Sequence, residues 1–353
     1  MSVPEAVKPK PTSFLKVKRR PVSVSNAGPV TTGYLTADQS GPLVIEPAVE
    51  GVQLVHWAAQ HHDFIDERLR EHGAMLFRRF QVGGLEGFEQ FITSVSGSLL
   101  EYNDGSSPRT KVSGNIYTST DYPPEHRIFL HNENSYSYSW PLKIFFFCVL
   151  PPEQGGETPI ADVRRVLKSI DPKIRERFER KQVMYVRNFG NGLGLSWPAV
   201  FQTTSKAAVS EFCRLSGISV EWRDDDHLRT RQVRPAIVNH PATGELVWFN
   251  HAAFFHVSTL EPAIRDALLS EFSEEDLPFN TYYGDGSPIE AAVLDEVREA
   301  YRQHTVTFPW QKHDVLMLDN MLTAHGRAAF TGERKIVVGM SEPLDRNSCA
   351  LNS

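Results

Sequence analysis

Leu130-His131-Asn132-Glu133-Asn134 is the stretch on which the reading of the chain turns. It carries an H-x-E triplet. Chance places roughly 1.6 H-x-[DE] triplets in a chain of 353 residues with 13 histidines and 43 acidic residues, so the pattern alone decides little. The chain holds two. The other, His61-His62-Asp63, lies in a stretch whose apolar residues recur at a helical period. On a helix, positions i and i+2 point to different sides and cannot share an ion. At the end of a strand they share a face, so His131 and Glu133 qualify as two ligands. A third is offered by Ala324-His325-Gly326-Arg327, which follows the apolar run Val315 to Leu318 and Asp319-Asn320. A histidine after a strand and before a glycine turn closes a face of two imidazoles and one carboxylate. That face leaves three coordination positions open, as non-haem Fe(II) oxygenases require.

Outward from this pair of segments, the pattern is of short strands and amphipathic helices. Val52 to Arg70 reads as a helix stopped by Gly73, and Ala74 to Phe77 as a buried strand. Leu85 to Val95 is a second helix. Strands are expected at Ile144 to Leu150, Val183 to Phe189, Ile237 to His240, Leu246 to Phe249, Asp314 to Leu318 and Lys335 to Met340. Phe145-Phe-Phe147 reads as core. Leu260 to Phe272 is expected as a helix with Leu260, Ile264, Leu268 and Phe272 on one face. Ser287-Pro288-Ile289-Glu290 has the residues of a capping box, with Ile289, Val293, Val297 and Tyr301 on the apolar side of the helix that follows. Strands separated by long insertions imply a mainly β sandwich core with helical cover. The expected organisation is an extended basic arm over 1–40, carrying Lys8, Lys10, Lys16, Lys18, Arg19 and Arg20. A single domain follows over 41–345, with a helical insert at about 258–303, and then a tail over 346–353.

The net charge of −6 and the pI of about 6.1 argue against nucleic-acid binding. Cys148, Cys213 and Cys349 form no C-x-x-C pair, so neither a disulfide framework nor a cysteine zinc site is expected, and a cytoplasmic setting follows. No secretory signal is visible at the N-terminus. The apolar run from Ile144 to Pro152 is too short to span a bilayer, so no membrane partner is expected. The reading leaves room for a homo-oligomer.

Further segments sharpen the picture. Gly73-Ala-Met-Leu-Phe-Arg-Arg-Phe80, His131-Asn-Glu133, Gly155-Gly-Glu-Thr158, Asp319-Asn320, His325-Gly-Arg327 and the downstream Arg334 together resemble the TauD/TfdA family of Fe(II)/2-oxoglutarate dioxygenases. The resemblance covers residues from about 45 to 343. It implies a double-stranded β-helix (jelly-roll) core, iron held by His131, Glu133 and His325, and 2-oxoglutarate and O2 as cosubstrates. It also implies an arginine for the distal carboxylate of 2-oxoglutarate on the strand after the second histidine. Arg334 fits, with Arg327 and Lys335 as alternatives at that position, and Thr158 resembles the family's hydroxyl contact to the same cosubstrate.

Within the family, the likeness is to the SyrP-like aspartyl β-hydroxylases of non-ribosomal peptide assembly. It is carried by His131-Asn-Glu-Asn-Ser-Tyr136 with Trp140-Pro141, Val186-Arg-Asn188, Leu195-Ser-Trp197, Trp248-Phe-Asn250, Tyr282-Tyr-Gly-Asp-Gly-Ser287 and Phe308-Pro-Trp-Gln311. This implies an amino acid or a carrier-protein-bound aminoacyl group as substrate, and Ser135, Tyr136, Asn250 and His256 as residues near it. A substrate carboxylate would call for an arginine, with Arg231 and its neighbours Arg187, Arg229 and Arg234 as candidates. The carboxylate at Glu133 favours hydroxylation over halogenation, since related halogenases keep a small residue there. Desaturation, epoxidation or cyclisation would use the same oxidant. Two other readings stay open: a family oxygenase acting on a free small acid of the sulfonate or betaine kind, and a jelly-roll protein that holds a metal without turnover.

Overall fold

The segment Ser139–Leu150 is apolar on both of its faces, so a layer must cover each side of the sheet it joins. Ile144, Phe146 and Cys148 point inward and pack with Leu76, Leu316 and Val338. Phe145 and Phe147 point outward and pack with Trp57, Phe88, Phe91 and Ile92 from helices over the sheet. The outer rings meet edge-on, with Phe77 and Phe91 centroids 5.2 Å apart and Phe91 and Phe145 5.9 Å apart. Such pairs add about 0.5–1.5 kcal/mol each beyond their buried area.

The computed structural model describes residues 29–35, 41–101, 109–119, 122–190, 192–223 and 227–349. Eight strands form the larger sheet, in the order Val30–Tyr34, Leu43–Pro47, Ala74–Phe77, Val315–Asp319, Ser139–Leu150, Lys335–Asp345, Ile116–Thr118 and Lys111–Ser113. Leu43–Pro47 and Ala74–Phe77 run parallel, and the other neighbours run antiparallel. A smaller antiparallel sheet, Thr305–Val306, Ile160–Asp162, Thr323–Arg327 and Ile128–His131, carries His131 and His325 and ends just before Glu133. Ile160 of the smaller sheet belongs to the same buried cluster as the inner face of the larger one. This is the jelly-roll sandwich, with its sheets left open at their edges.

A third β layer lies outside the sandwich: Ser219–Trp222, Leu228–Arg234, Val183–Phe189 and Phe279–Tyr283. Val163–Ser169 and Ala291–Gln303 are helices whose buried side chains, among them Val166, Leu294 and Val297, join the core that also holds Val183, Tyr185 and Trp248. Among the described residues no helix is long and apolar enough to cross a membrane.

Several expectations are corrected. The helix expected from Val52 to Arg70 is two, Leu54–Gln60 and His62–His72, meeting at His61 with φ −129° and ψ 29°. His61 Nδ1 donates to Trp57 O at 2.7 Å and the ring stacks on Trp57, so local bonds take this histidine. Gly73 ends the second helix in the left-handed region at φ 72°, as expected. The arm expected over 1–40 contributes Val30–Tyr34 to the larger sheet; its basic residues lie outside the described residues, as do tail positions 350–353. The 258–303 stretch holds helices Pro262–Glu271 and Ala291–Gln303, but also the strand Phe279–Tyr283, which pairs with Val183–Phe189. Leu260 and Ile264 are exposed rather than buried.

The capping box at Ser287 does not form. Ser287 closes a turn onto Asp285 instead, and the helix begins after Glu290, whose carboxylate takes bonds from Arg177 and Tyr283. The apolar side of that helix is buried as the spacing implied, from Ile289 to Tyr301.

Candidate active site

Strands Ile128–His131 and Thr323–Arg327 lie side by side with His131 directly opposite His325. His325 therefore sits inside a strand, not after one. The ladder is irregular between His325 and Arg327, and a Cβ on Gly326 would stand 2.6 Å from Ile128 O. Glycine is what allows the two histidine-bearing strands to approach. Glu133 lies just past the end of its strand, so it reaches the site from a turn, where Asn134 adopts φ 54°.

Asn320 holds that turn. Its Oδ1 accepts from Glu133 N at 2.8 Å, and its Nδ2 donates to Glu133 O and Pro141 O, both at 2.9 Å. Asn132 Nδ2 donates to Asn320 O at 2.6 Å. Asp319 beside it accepts from the backbone of Met321 and Leu322 and from His240 Nε2 at 3.0 Å. We predict that Asn320→Ala leaves buried donors and acceptors unpaired, at about 1–3 kcal/mol each. Metal affinity should fall about 10–100-fold, as for other residues that orient ligands. Thermal melting and anaerobic Co(II) titration read the two effects.

One donor atom from each of His131, Glu133 and His325 lies within 4.8 Å of the others, and His325 Nε2 stands 3.9 Å from Glu133 Oε2. Three donors on one face of an ion, about 2.0–2.2 Å from it, lie about 3 Å apart, so the cluster suits a metal once its side chains close by about 1 Å or more. His131 Nδ1 donates to Phe129 O at 2.9 Å, which leaves Nε2 as the free lone pair. Burial holds His131 below its ordinary pKa and His325 well below, so both imidazoles are neutral at neutral pH, as ligands must be. Arg109 Nη2 donates to Glu133 Oε2 at 2.6 Å. Sequence reasoning missed Arg109; it lies 24 residues before Glu133, and nothing in its local pattern marks it.

The walls are aromatic. The His131 ring stacks on Phe254 at 4.8 Å, and His325 meets the Phe146 edge at 5.2 Å. Phe146 is thus both core and site wall. His251 stands behind His131, its Nδ1 2.6 Å from Ser135 Oγ and its ring 4.9 Å from Tyr136. Burial pushes His251 well below the usual histidine range. Through His251, Ser135 and Tyr136 are held on the His131 side of the cluster. His251 and Phe254 were also missed, since neither belongs to a recognisable motif.

The other expected substrate contacts are engaged elsewhere. Asn250 bonds Ala236 O and Ala252 N. Arg231 pairs with Glu221 at 2.7 Å, Arg229 with Asp276, and Arg187 lies between the rings of Phe189 and Phe279. His256 Nδ1 caps its own turn at Ser258. Burial, aided by Arg298, lowers the His256 pKa to about 4. An unfolded histidine protonates near 6.5, so acid favours the unfolded chain as pH falls from about 6.5 to about 4. His256→Gln is therefore expected to flatten the fall in melting temperature across that window.

Around Arg334 the Gly155-Gly156 pair makes room. Their φ angles are 69° and 68°; a Cβ on Gly155 would stand 2.2 Å from Ala329 O, and one on Gly156 3.0 Å from Arg334 Cδ. Arg334 Nε donates to Gly156 O at 2.8 Å and Nη1 to Ser119 Oγ at 3.1 Å, with the guanidinium over Phe330. Burial lowers its pKa to about 10, still fully charged at neutral pH. Thr158 is buried and its Oγ1 accepts from Trp310 Nε1 at 3.3 Å. Arg327 donates through Nη1 and Nη2 to the carbonyls of Tyr122, Pro123 and His126, and Lys335 is exposed.

The chain matches the family described as "Taurine catabolism dioxygenase TauD, TfdA family" over residues 36–340. It is 41% identical over 284 residues to the dapdiamide synthesis protein DdaC of Enterobacter agglomerans, covering 80% of this chain and 86% of that one. It is 29% identical over 287 residues to a clavaminate synthase-like protein of Arabidopsis thaliana, covering 78% and 84%. Its fold is similar to that of PvcB, described as an Fe, alpha-ketoglutarate dependent oxygenase from an isonitrile synthetic pathway. That likeness has a TM-score of 0.54 and 16% identity, over 91% of this chain and 94% of that one. The family match over most of the chain, and a two-histidine, one-carboxylate cluster of the kind that family's chemistry needs, place the chain in the TauD/TfdA family of Fe(II)/2-oxoglutarate-dependent dioxygenases.

Proposed function

We propose that this dioxygenase hydroxylates an unactivated C–H of an amino acid, free or tethered as an aminoacyl group to a carrier protein, in natural-product biosynthesis. Two things support the substrate class: 41% identity to a dapdiamide synthesis protein, and the SyrP-like segments around His131, Trp248 and Tyr282. The observation that carries the chemistry is the His131, Glu133 and His325 cluster, with its donors within 4.8 Å of one another.

In this reading His131, Glu133 and His325 hold Fe(II), and Arg334 and Thr158 hold 2-oxoglutarate. When bound, the metal and the oxo acid supply O2 activation coupled to oxidative decarboxylation, giving succinate, CO2 and an oxidant able to attack an unactivated C–H. The chain supplies position and dryness. Asn320 keeps the Glu133 turn in place, Phe129 O fixes the His131 tautomer, and Phe146 and Phe254 keep water from the reacting atoms. Arg109 holds Glu133 Oε2 and so restricts how that carboxylate presents itself to the ion.

The test is succinate formation, with mass spectrometry of product, over a panel of free and carrier-loaded amino acids. The reading predicts one succinate per product gaining one oxygen. Turnover of a sulfonate or betaine with no amino acid consumed would overturn it.

A further inference from the structure

A second concave site stands apart from the metal ligands. It is a cavity of about 540 Å³ lined by Tyr138, Arg214, Ser216, Arg234, Val238 and Arg346, among others. The neighbouring arginines on the strand that carries Arg234 show what is unusual about it. On Leu228–Arg234, Arg229 pairs with Asp276 and Arg231 with Glu221. Arg234, only 7% exposed, bonds neutral acceptors instead: Ser216 O at 2.6 Å, Gln232 Oε1 at 2.8 Å, and more distantly Val233 O and Gly217 O.

Burial lowers the Arg234 pKa, the hydroxyls of Tyr185 and Tyr138 act against that shift, and among the described residues no carboxylate pairs with its guanidinium. A buried cation without a counter-charge is costly, and native proteins ordinarily supply an acid. From the facing wall Arg346 lies over Trp140 at 4.8 Å and donates to the carbonyls of Ser135 and Ser137. Arg214, on the end of helix Lys206–Leu215, completes the rim, sharing its charge with Glu211.

We propose that this cavity binds a phosphate-class oxyanion, which supplies the counter-charge that Arg234 lacks. Planar guanidinium forks suit tetrahedral phosphate, and a phosphate carries more charge at neutral pH than a carboxylate. A cavity of about 600 Å³ with a largely apolar wall, including Trp140, Val200, Phe212 and Met340, borders the same helix and the same strand start. It also includes Asn134, next to the ligand Glu133.

The experiment is anaerobic calorimetric titration of the full chain, loaded with Fe(II) and saturated with 2-oxoglutarate. The titrants are inorganic phosphate, phosphopantetheine and succinate. Phosphate is expected to bind, with affinity weakened about tenfold in Arg214→Glu and at least as much in Arg234→Gln, while Fe(II) and 2-oxoglutarate affinities stay unchanged in Arg214→Glu. If Arg234→Gln does not fold, Arg214→Glu, on the helix surface, carries the test. Phosphopantetheine binding more tightly than phosphate supports the pocket and assigns it to a phosphate on a linker; equal affinity supports it as a site for a free phosphate. No phosphate binding, binding insensitive to Arg214→Glu, or succinate binding more tightly than phosphate overturns the proposal. None of these outcomes depends on which substrate is hydroxylated, so this result and the product assay fail separately.

Discussion

A His325→Ala enzyme is expected to fold and to lose turnover by at least about a thousandfold, well beyond the 10–100-fold typical when only a ligand's supporting partner is removed. The reason lies in the geometry. His325 and His131 face each other across one ladder, and with His325 gone the ion is left with two protein ligands. Without metal, the cost to stability should be limited to the cavity left behind, because His325 is a buried, neutral imidazole whose Nδ1 has no hydrogen-bond partner among the described residues. Its loss therefore breaks no buried bond among the described residues. Circular dichroism and melting check the fold, and succinate production checks activity. Turnover within tenfold of wild type would remove His325 from the ligand set.

The second large effect is expected at Arg334. Arg334→Gln should raise the KM for 2-oxoglutarate by about 100-fold, since it removes a charge-assisted contact to a carboxylate in a desolvated site. kcat at saturating cosubstrate should change far less, because the expected role of Arg334 is to bind the distal carboxylate rather than to touch the reacting atoms. Arg334 is half-buried and charged, while Arg327 spends its terminal nitrogens on the carbonyls of Tyr122, Pro123 and His126. Arg327→Gln should therefore loosen that loop and lower the melting temperature, with a smaller effect on KM. An unchanged KM in Arg334→Gln, with a raised one in Arg327→Gln, would transfer the role to Arg327.

Much of the core was legible because its periodicity is strong. Ala74–Phe77 and Val183–Phe189 begin and end where the apolar runs do. The candidate metal ligands stood out because the H-x-E at His131 falls at a strand end, where i and i+2 share a face, while the other such triplet runs into a helix. What was not legible depends on contacts distant in sequence. Arg109 reaches Glu133 from a segment with no pattern of its own. His251 and Phe254 matter only because the fold sets their rings against His131. Ser287 has the residues of a helix cap, yet the competing turn at Asp285 and the pull of Arg177 and Tyr283 on Glu290 prevail. The exposure of Leu260 and Ile264 shows the converse, since helical spacing marks a face without saying that anything covers it.

The most direct test is anomalous diffraction at the iron edge from crystals grown anaerobically with Fe(II). The account predicts one peak, about 2.0–2.2 Å from His131 Nε2, a Glu133 carboxylate oxygen and His325 Nε2. A peak bound elsewhere, or these three side chains turned away from any shared point, would contradict it.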